Sequence, residues 1–348
     1  MHGVSGRLAA LSPTTLHLLF GLVLAAAAVF GRSTNLESSG LALVWPAAGI
    51  AFLWSLWASR SRVDFTVSLI GAFPILAAVN LATGLSPSLG FAVAVGSIAQ
   101  TAVAVALFRR FIPGLEIRTV GDYLRLGSIA IAACSVGALA IVVGSAIDGS
   151  ADPLSAFVPW LVRHGVSLTG IGSLGVVIAS SIRARAAGQT PPSLPSARRA
   201  EYAMLAVVSV VLYVATFGAG TALPIAYTTI PAHMWAGLRL RSGWAMLHGL
   251  VSGAFLVFFT LERRGPFQDL DPGIAAYVAQ SFMFIAFSLS AVLALSMDER
   301  RRLISRLYRA NAEAKADVAK AEAKAAEKKA EAKADQAEAK ADSVARSQ

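Results

Sequence analysis

Long apolar runs recur from residue 14 almost to residue 300, parted only by short arginine-bearing loops, and they leave this chain few folds to choose from. A hydrocarbon core of roughly 30 Å takes about 20 apolar helical residues per crossing, and only helices or closed barrels satisfy their backbones inside it. The runs predict an all-α integral membrane protein, a polytopic bundle of about ten spans. They lie near 14–31, 43–59, 65–83, 88–108, 124–147, 156–182, 201–219, 222–238, 243–261 and 274–297. Tight turns at Thr83–Pro87 and Gly218–Leu223 keep eight or nine spans open as alternatives. Composition agrees: charged residues are 14% of the 348, against roughly a quarter in a soluble domain. Pro46 stands near the start of its run, where a missing amide proton costs least. Pro74 and Pro231 fall nearer the middle of theirs and should kink them. The first run, with Arg7 before it and Ala25 to Ala28 inside it, looks like a secretory signal, but the spans that follow favour a retained first span.

The loop charges give an orientation. Arg7; Arg60 and Arg62; Arg109, Arg110, Arg118 and Arg125; Arg183, Arg185, Arg198 and Arg199; and Arg239 and Arg241 fall on alternate loops, on the side of Arg300 to Arg302. The other side holds Arg32, Arg263 and Arg264 among Glu37, Asp148, Asp152, Glu262, Asp269 and Asp271. The positive-inside rule makes the first set cytoplasmic, which places both termini in the cytoplasm of a cell-membrane protein. The net charge of +10 therefore reads as topology, with the lipid bilayer as partner and nucleic acid excluded.

A second region begins near Asp298, giving a bundle over 1–297 and a hydrophilic tail over 298–348. All seven lysines lie at or after Lys315, in a sequence of alanine, lysine, glutamate and aspartate that favours helix. If continuous, the tail helix would be about 75 Å long. Glu331, Asp335, Glu338 and Asp342 make one acidic stripe, and Lys333 and Lys340 lie on another face. Such a helix either pairs with a partner helix or is a solvated spacer, and alanine at the seam buries little area.

Catalytic chemistry is not legible. There is no Walker loop, no dinucleotide fingerprint, no paired metal-ligand cluster and no G-x-S-x-G elbow, and neither an enzyme nor a cofactor is expected. Cys134 is the single cysteine, so intramolecular disulfides are excluded. No acidic residue lies in the interior of any run, which argues against proton-coupled transport. The embedded ionisable groups are His17, Arg163, His164, His233 and His248. Arg163 and His164 follow Trp160 on the extracytoplasmic side, either as an interface anchor or as a pair lining an outward-facing ligand cavity. His233, beside Trp235, and His248 read first as hydrogen-bonded interhelical residues, as do Asn80 and Gln100.

Three strings stand out. Trp45 and Pro46 open a run in which Ala47, Ala48 and Gly49 permit close packing; Pro231, Trp235 and Arg239 punctuate a later one; Gly265, Pro266 and Phe267 form a loop. At these residues the chain resembles the membrane-associated sensor domain of the first MASE type. That family opens its second span with V-W-P-P-A-G-I, matched by Val44 to Ile50 with Ala47 in place of the second proline. Its late P-x-x-x-W-A-x-x-R is matched by Pro231 to Arg239, its G-P-F by Gly265 to Phe267, and its acidic helix exit by Glu299 and Arg300. The resemblance covers roughly 14–300.

It implies a non-catalytic bacterial sensor, which elsewhere in the family precedes histidine kinases or cyclic-dinucleotide enzymes. No such output domain is legible here, so the tail is expected to dock a separate histidine kinase or diguanylate cyclase, or the effector has been lost; a homodimer is also open. Ligand candidates are Trp45, Trp160, Arg163, His164, His233 and Trp235. The family's aspartate in the sixth-span region is absent, since the stretch after Trp160 carries Arg163 and His164, and no ligand identity carries over. A transporter component and a membrane scaffold are the competing classes.

Overall fold

The computed structural model describes residues 12–35, 42–188, 196–218 and 225–345. Arg7, Glu37 and most of the Gly218–Leu223 turn lie outside the described residues, as do the side chains of the tail's acidic stripe. Ten α-helices follow in chain order among the described residues: α1 (Pro13–Ser33), α2 (Pro46–Ala58), α3 (Arg62–Ala82), α4 (Pro87–Phe111), α5 (Val120–Ile147), α6 (Phe157–Ala186), α7 (Ser196–Tyr213), α8 (Ile230–Arg239), α9 (Ser242–Leu261) and α10 (Pro272–Ala345). Short 3₁₀ turns precede α6 and α8, and a π turn at Val214–Gly218 closes α7. The one pairing of extended backbone among the described residues is an isolated bridge between Asn35 and Ala42.

Local chemistry sets the helix starts. The side chains of Ser12, Ser61, Ser86 and Thr119 each accept the backbone N–H three residues on, and Asp122 completes a capping box with Thr119. Each satisfies a donor that the first helical turn cannot pair internally. Eight of the helices are long and apolar enough to cross a membrane. The reading of about ten spans, with eight or nine left open, turns on two short helices. The 13 residues of α2 reach only about 20 Å and the 10 of α8 about 15 Å, short of a core of roughly 30 Å. Pro231 does not kink a long helix. It lies in the first turn of α8, behind the 3₁₀ turn Ala226–Thr229, because a residue without an N–H is tolerated best at a helix start.

The chain divides into two units, Met1–Asp298 and Glu299–Gln348. In the first, α2 is the innermost helix: Ala47, Ala48, Ala51, Phe52, Trp54, Ser55 and Ala58 are all buried. A helix apolar on every face must be surrounded, and α2 supplies residues to two core clusters. Phe52 packs with Phe108, Leu126 and Leu168, while Trp45 and Trp54 pack with Leu76, Cys134 and Trp160. Lipid is as apolar as leucine, so close approach through small residues carries helix association here. A Cβ at Gly49 would stand 2.6 Å from Cβ of Ile171 and 2.7 Å from the Ser167 carbonyl, so only glycine lets α2 and α6 meet at this point. The outer faces show Leu22, Ile70, Ile131 and Val211 to the surroundings, as a lipid-facing surface must. In the second unit, Leu303, Ile304, Leu307 and Tyr308 are exposed on the helix.

Candidate functional site

Before α2 the chain lies outside helix from Ala42 to Trp45, with a bend at Leu43, and its backbone groups must be paired by something other than helix. Thr34 supplies part of that pairing, since its carbonyl accepts from Leu43 N (3.0 Å) and its hydroxyl from Val44 N (3.3 Å). Gln280 of α10 supplies the rest, donating Nε2 to the carbonyls of Ala42 (3.2 Å) and Leu43 (3.0 Å). The helix that ends the bundle thus holds the segment that presents Trp45.

Trp45 and Trp160 stack on His164, with ring centroids 5.9 and 3.7 Å away and interplanar angles of 20° and 19°. Arg163 lies over the Trp45 ring at 5.8 Å, a cation–π contact. Trp160 Nε1 donates to Gln100 Oε1 at 3.0 Å. The four sequence candidates Trp45, Trp160, Arg163 and His164 therefore stand together. What surrounds them was not legible. Both ring nitrogens of His164, Nε1 of Trp45, Nε of Arg163, Nε2 of Gln100 and the Ser97 and Ser167 hydroxyls are buried with no protein partner. Each such group costs about 1–3 kcal/mol if nothing binds it, so this cluster has unspent capacity for water or a ligand.

A cavity of about 190 Å³ adjoins the cluster, walled by Trp45, Arg163 and Ser167 and by α9 and α10 through Leu250, Met283 and Phe287. Apart from Arg163, Ser167 and the Trp45 indole N–H, the side chains lining it are apolar.

His233 and Trp235 do not join this site. His233 is buried between Tyr213, whose hydroxyl is 2.9 Å from Nε2, and Ser290, whose hydroxyl is 3.0 Å from Nδ1. His248 stands against it at 5.1 Å and bonds Ser209 at 2.8 Å. Trp235 and Arg239, four residues apart on one face of α8, both reach Glu201: Trp235 Nε1 donates at 3.3 Å and the Arg239 guanidinium binds both carboxylate oxygens. Glu201 thus clamps α7 to α8, and the late motif has a structural role. Carboxylates are not confined to loops, since Asp64 and Glu201 sit in the early turns of α3 and α7. His17 meets Asp64 at 3.3 Å and accepts from Trp54 Nε1 at 2.9 Å, with Trp57 edge-on. Gly265 has φ +80° and its α-carbon lies against the Phe217 backbone, so a Cβ would meet it at 2.8 Å. Pro266 follows, and Phe267 packs edge-on against Phe217 at 5.9 Å. A G-x-G-x-x-G spacing at Gly170, Gly172 and Gly175 lies inside α6, without the strand and turn that a dinucleotide site needs. No group of three metal-ligating side chains occurs among the described residues.

A family model described as MASE1 matches residues 15–301. No curated protein and no solved structure matches the chain.

Proposed function

The chain belongs to the MASE1 family of membrane sensory domains, and on that premise we propose that it is a non-catalytic sensor in the cytoplasmic membrane, with both termini inside. A ligand or membrane state in the Trp45 cavity shifts the bundle between conformers, and α10 passes the shift to a cytoplasmic partner. The observation that carries this reading is the double role of α10. It walls the cavity with Met283 and Phe287, and it holds the Trp45 segment through Gln280. Whatever changes that segment therefore acts on the last helix directly, within the first unit. The exposed apolar residues Leu303, Ile304, Leu307 and Tyr308 give a partner something to bury: a histidine kinase, a diguanylate cyclase or a second copy of the chain.

The arginine alternation supports ten crossings. Two experiments test the reading. Cysteines replacing Arg183 and Arg239 in a Cys134→Ala background should resist an impermeant thiol reagent in intact cells, while one replacing Asp152 should react; the reverse pattern overturns the orientation. Photocrosslinking from Leu307 in membranes should capture a kinase, a cyclase or a second copy. Capture of none of the three overturns the relay.

A further inference from the structure

The cavity beside Trp45 has one charged lining residue and opens toward the outer surface of the bundle, and the two together specify a ligand. Its cation is Arg163, half-buried two turns into α6, with Nε buried and unpartnered and no carboxylate in contact with it among the described residues. One helical turn further on, Ser167 is 7% exposed, lines the cavity and has a hydroxyl with no partner. Beyond Ser167 the lining side chains carry no hydrogen-bonding group as far as Gly170 and Ile171. Eight residues separate Arg163 from Ile171, about 12 Å along the helix axis. The mouth is marked by lining residues that also face outward: Phe30 of α1, 50% exposed, and Phe284 of α10, 37% exposed. In a membrane bundle that surface faces lipid, so the cavity is loaded from the bilayer and not from water.

We propose that this cavity takes a single-chain amphiphile with an anionic head. The carboxylate or phosphate meets the Arg163 guanidinium and the Ser167 hydroxyl, and the hydrocarbon chain lies between α6, α9 and α10 against Leu250 and Phe287. The charge excludes cationic amphiphiles, because a second cation beside a partly desolvated guanidinium is repelled. The apolar lining excludes sugars and nucleotides, whose hydroxyls would go unpaired. Chain insertion presses on Met283, Phe284 and Phe287 of α10, which names the stimulus for the sensory role and rests on that reading.

The test uses the full chain in phosphatidylcholine nanodiscs and follows tryptophan fluorescence, with Trp45→Phe identifying the site's signal. Decanoate and decyl phosphate should give a saturable change, and decanol should bind roughly tenfold more weakly or worse, the worth of a charge-assisted hydrogen bond. Arg163→Gln should weaken both anions about tenfold and leave decanol unchanged. Ala254→Trp, at an exposed position on the cavity wall, should block all three and serves if Arg163→Gln fails to accumulate. Equal binding of decanol and decanoate, anion binding unaffected by Arg163→Gln, or a linear, unsaturable signal that persists in Ala254→Trp overturns the proposal. Added phosphatidylglycerol separates the sources. Arg163-dependent displacement of decanoate assigns the site to a bilayer lipid, and no displacement assigns it to a free acid. Failure to bind leaves the sensory reading on the contacts of α10; binding without any change in crosslinking from Leu307 breaks the sensory reading alone.

Discussion

His164 and His233 are buried alike, at 0% and 1% exposure, and bonded in opposite ways. His233 has a partner for each ring nitrogen, from α7 and from α10. His164 has none, and is held by the faces of two tryptophans. The regions around them follow suit. The α7–α8–α10 region pairs Tyr213, His233 and Ser290 with one another and Glu201 with Trp235 and Arg239, and leaves the Tyr202 hydroxyl without a protein partner. The region where Trp45, α4 and α6 meet is tight in backbone packing and open in hydrogen bonding. Burial alone therefore does not tell these two histidines apart. The pairing of their nitrogens does.

The strongest way to sharpen that contrast is Gly49→Ala, which places a methyl 2.6 Å from Ile171 and 2.7 Å from a carbonyl. Overpacking of this kind costs about 1–3 kcal/mol, and here the upper end is expected because the obstacle is partly backbone. It should appear as a large fall in the detergent melting temperature.

His233→Leu comes next. It removes both ring hydrogen bonds, at about 0.5–1.5 kcal/mol each, while Ser290 keeps the carbonyls of residues 233 and 286 as acceptors, and should also lower the melting temperature. His164→Phe keeps the ring stack and loses no protein hydrogen bond. Its melting temperature should stay within about 1 kcal/mol of the parent. Equal losses in the two variants would break the comparison.

The smallest effect concerns Asp148, exposed where α5 ends. Hydrogen bonds from Ser86 and Ser88 hold its carboxyl below the ordinary range. A lowered carboxylate adds stability above its unfolded pKa, near 4, and loses it as pH falls through the folded value. Melting should therefore be flat from pH 8 to pH 5 with respect to this group, and Asp148→Asn should change it only slightly.

Much of this was legible in the sequence, for identifiable reasons. The apolar runs located the helices, because segments buried in a bilayer or among its helices must be apolar, and eight of them are also long enough to cross. The tryptophans, Arg163 and His164 stood out as amphipathic or ionisable residues at run ends. Four things needed the fold. The shortness of α2 comes from Ala42 to Trp45 lying outside the helix, which hydropathy cannot distinguish from helix. Pro231 starts a helix because a 3₁₀ turn precedes it, although its position within the run suggested a kink. Gln280 sits in a span like any other polar residue, and only its reach to Ala42 and Leu43, more than 230 residues away in sequence, gives it meaning. The separate fates of His164 and His233 were equally hidden, because a sequence shows a histidine and not what its nitrogens meet.

The all-round burial of α2 also sets a timetable for biosynthesis. The groove that receives Gly49 is built by Ser167 and Ile171, and Ile171 is translated 122 residues after Gly49. At roughly 5–20 residues per second, α2 waits about 6–24 s before its neighbour exists. The carbonyl of Leu43 waits longer, until Gln280 has emerged. During that interval a 13-residue helix, too short to span alone, must be sheltered by α1 and α3 or by the insertion machinery. Slowed translation between α3 and α6 would lengthen that wait and expose the chain to quality control before its centre has formed.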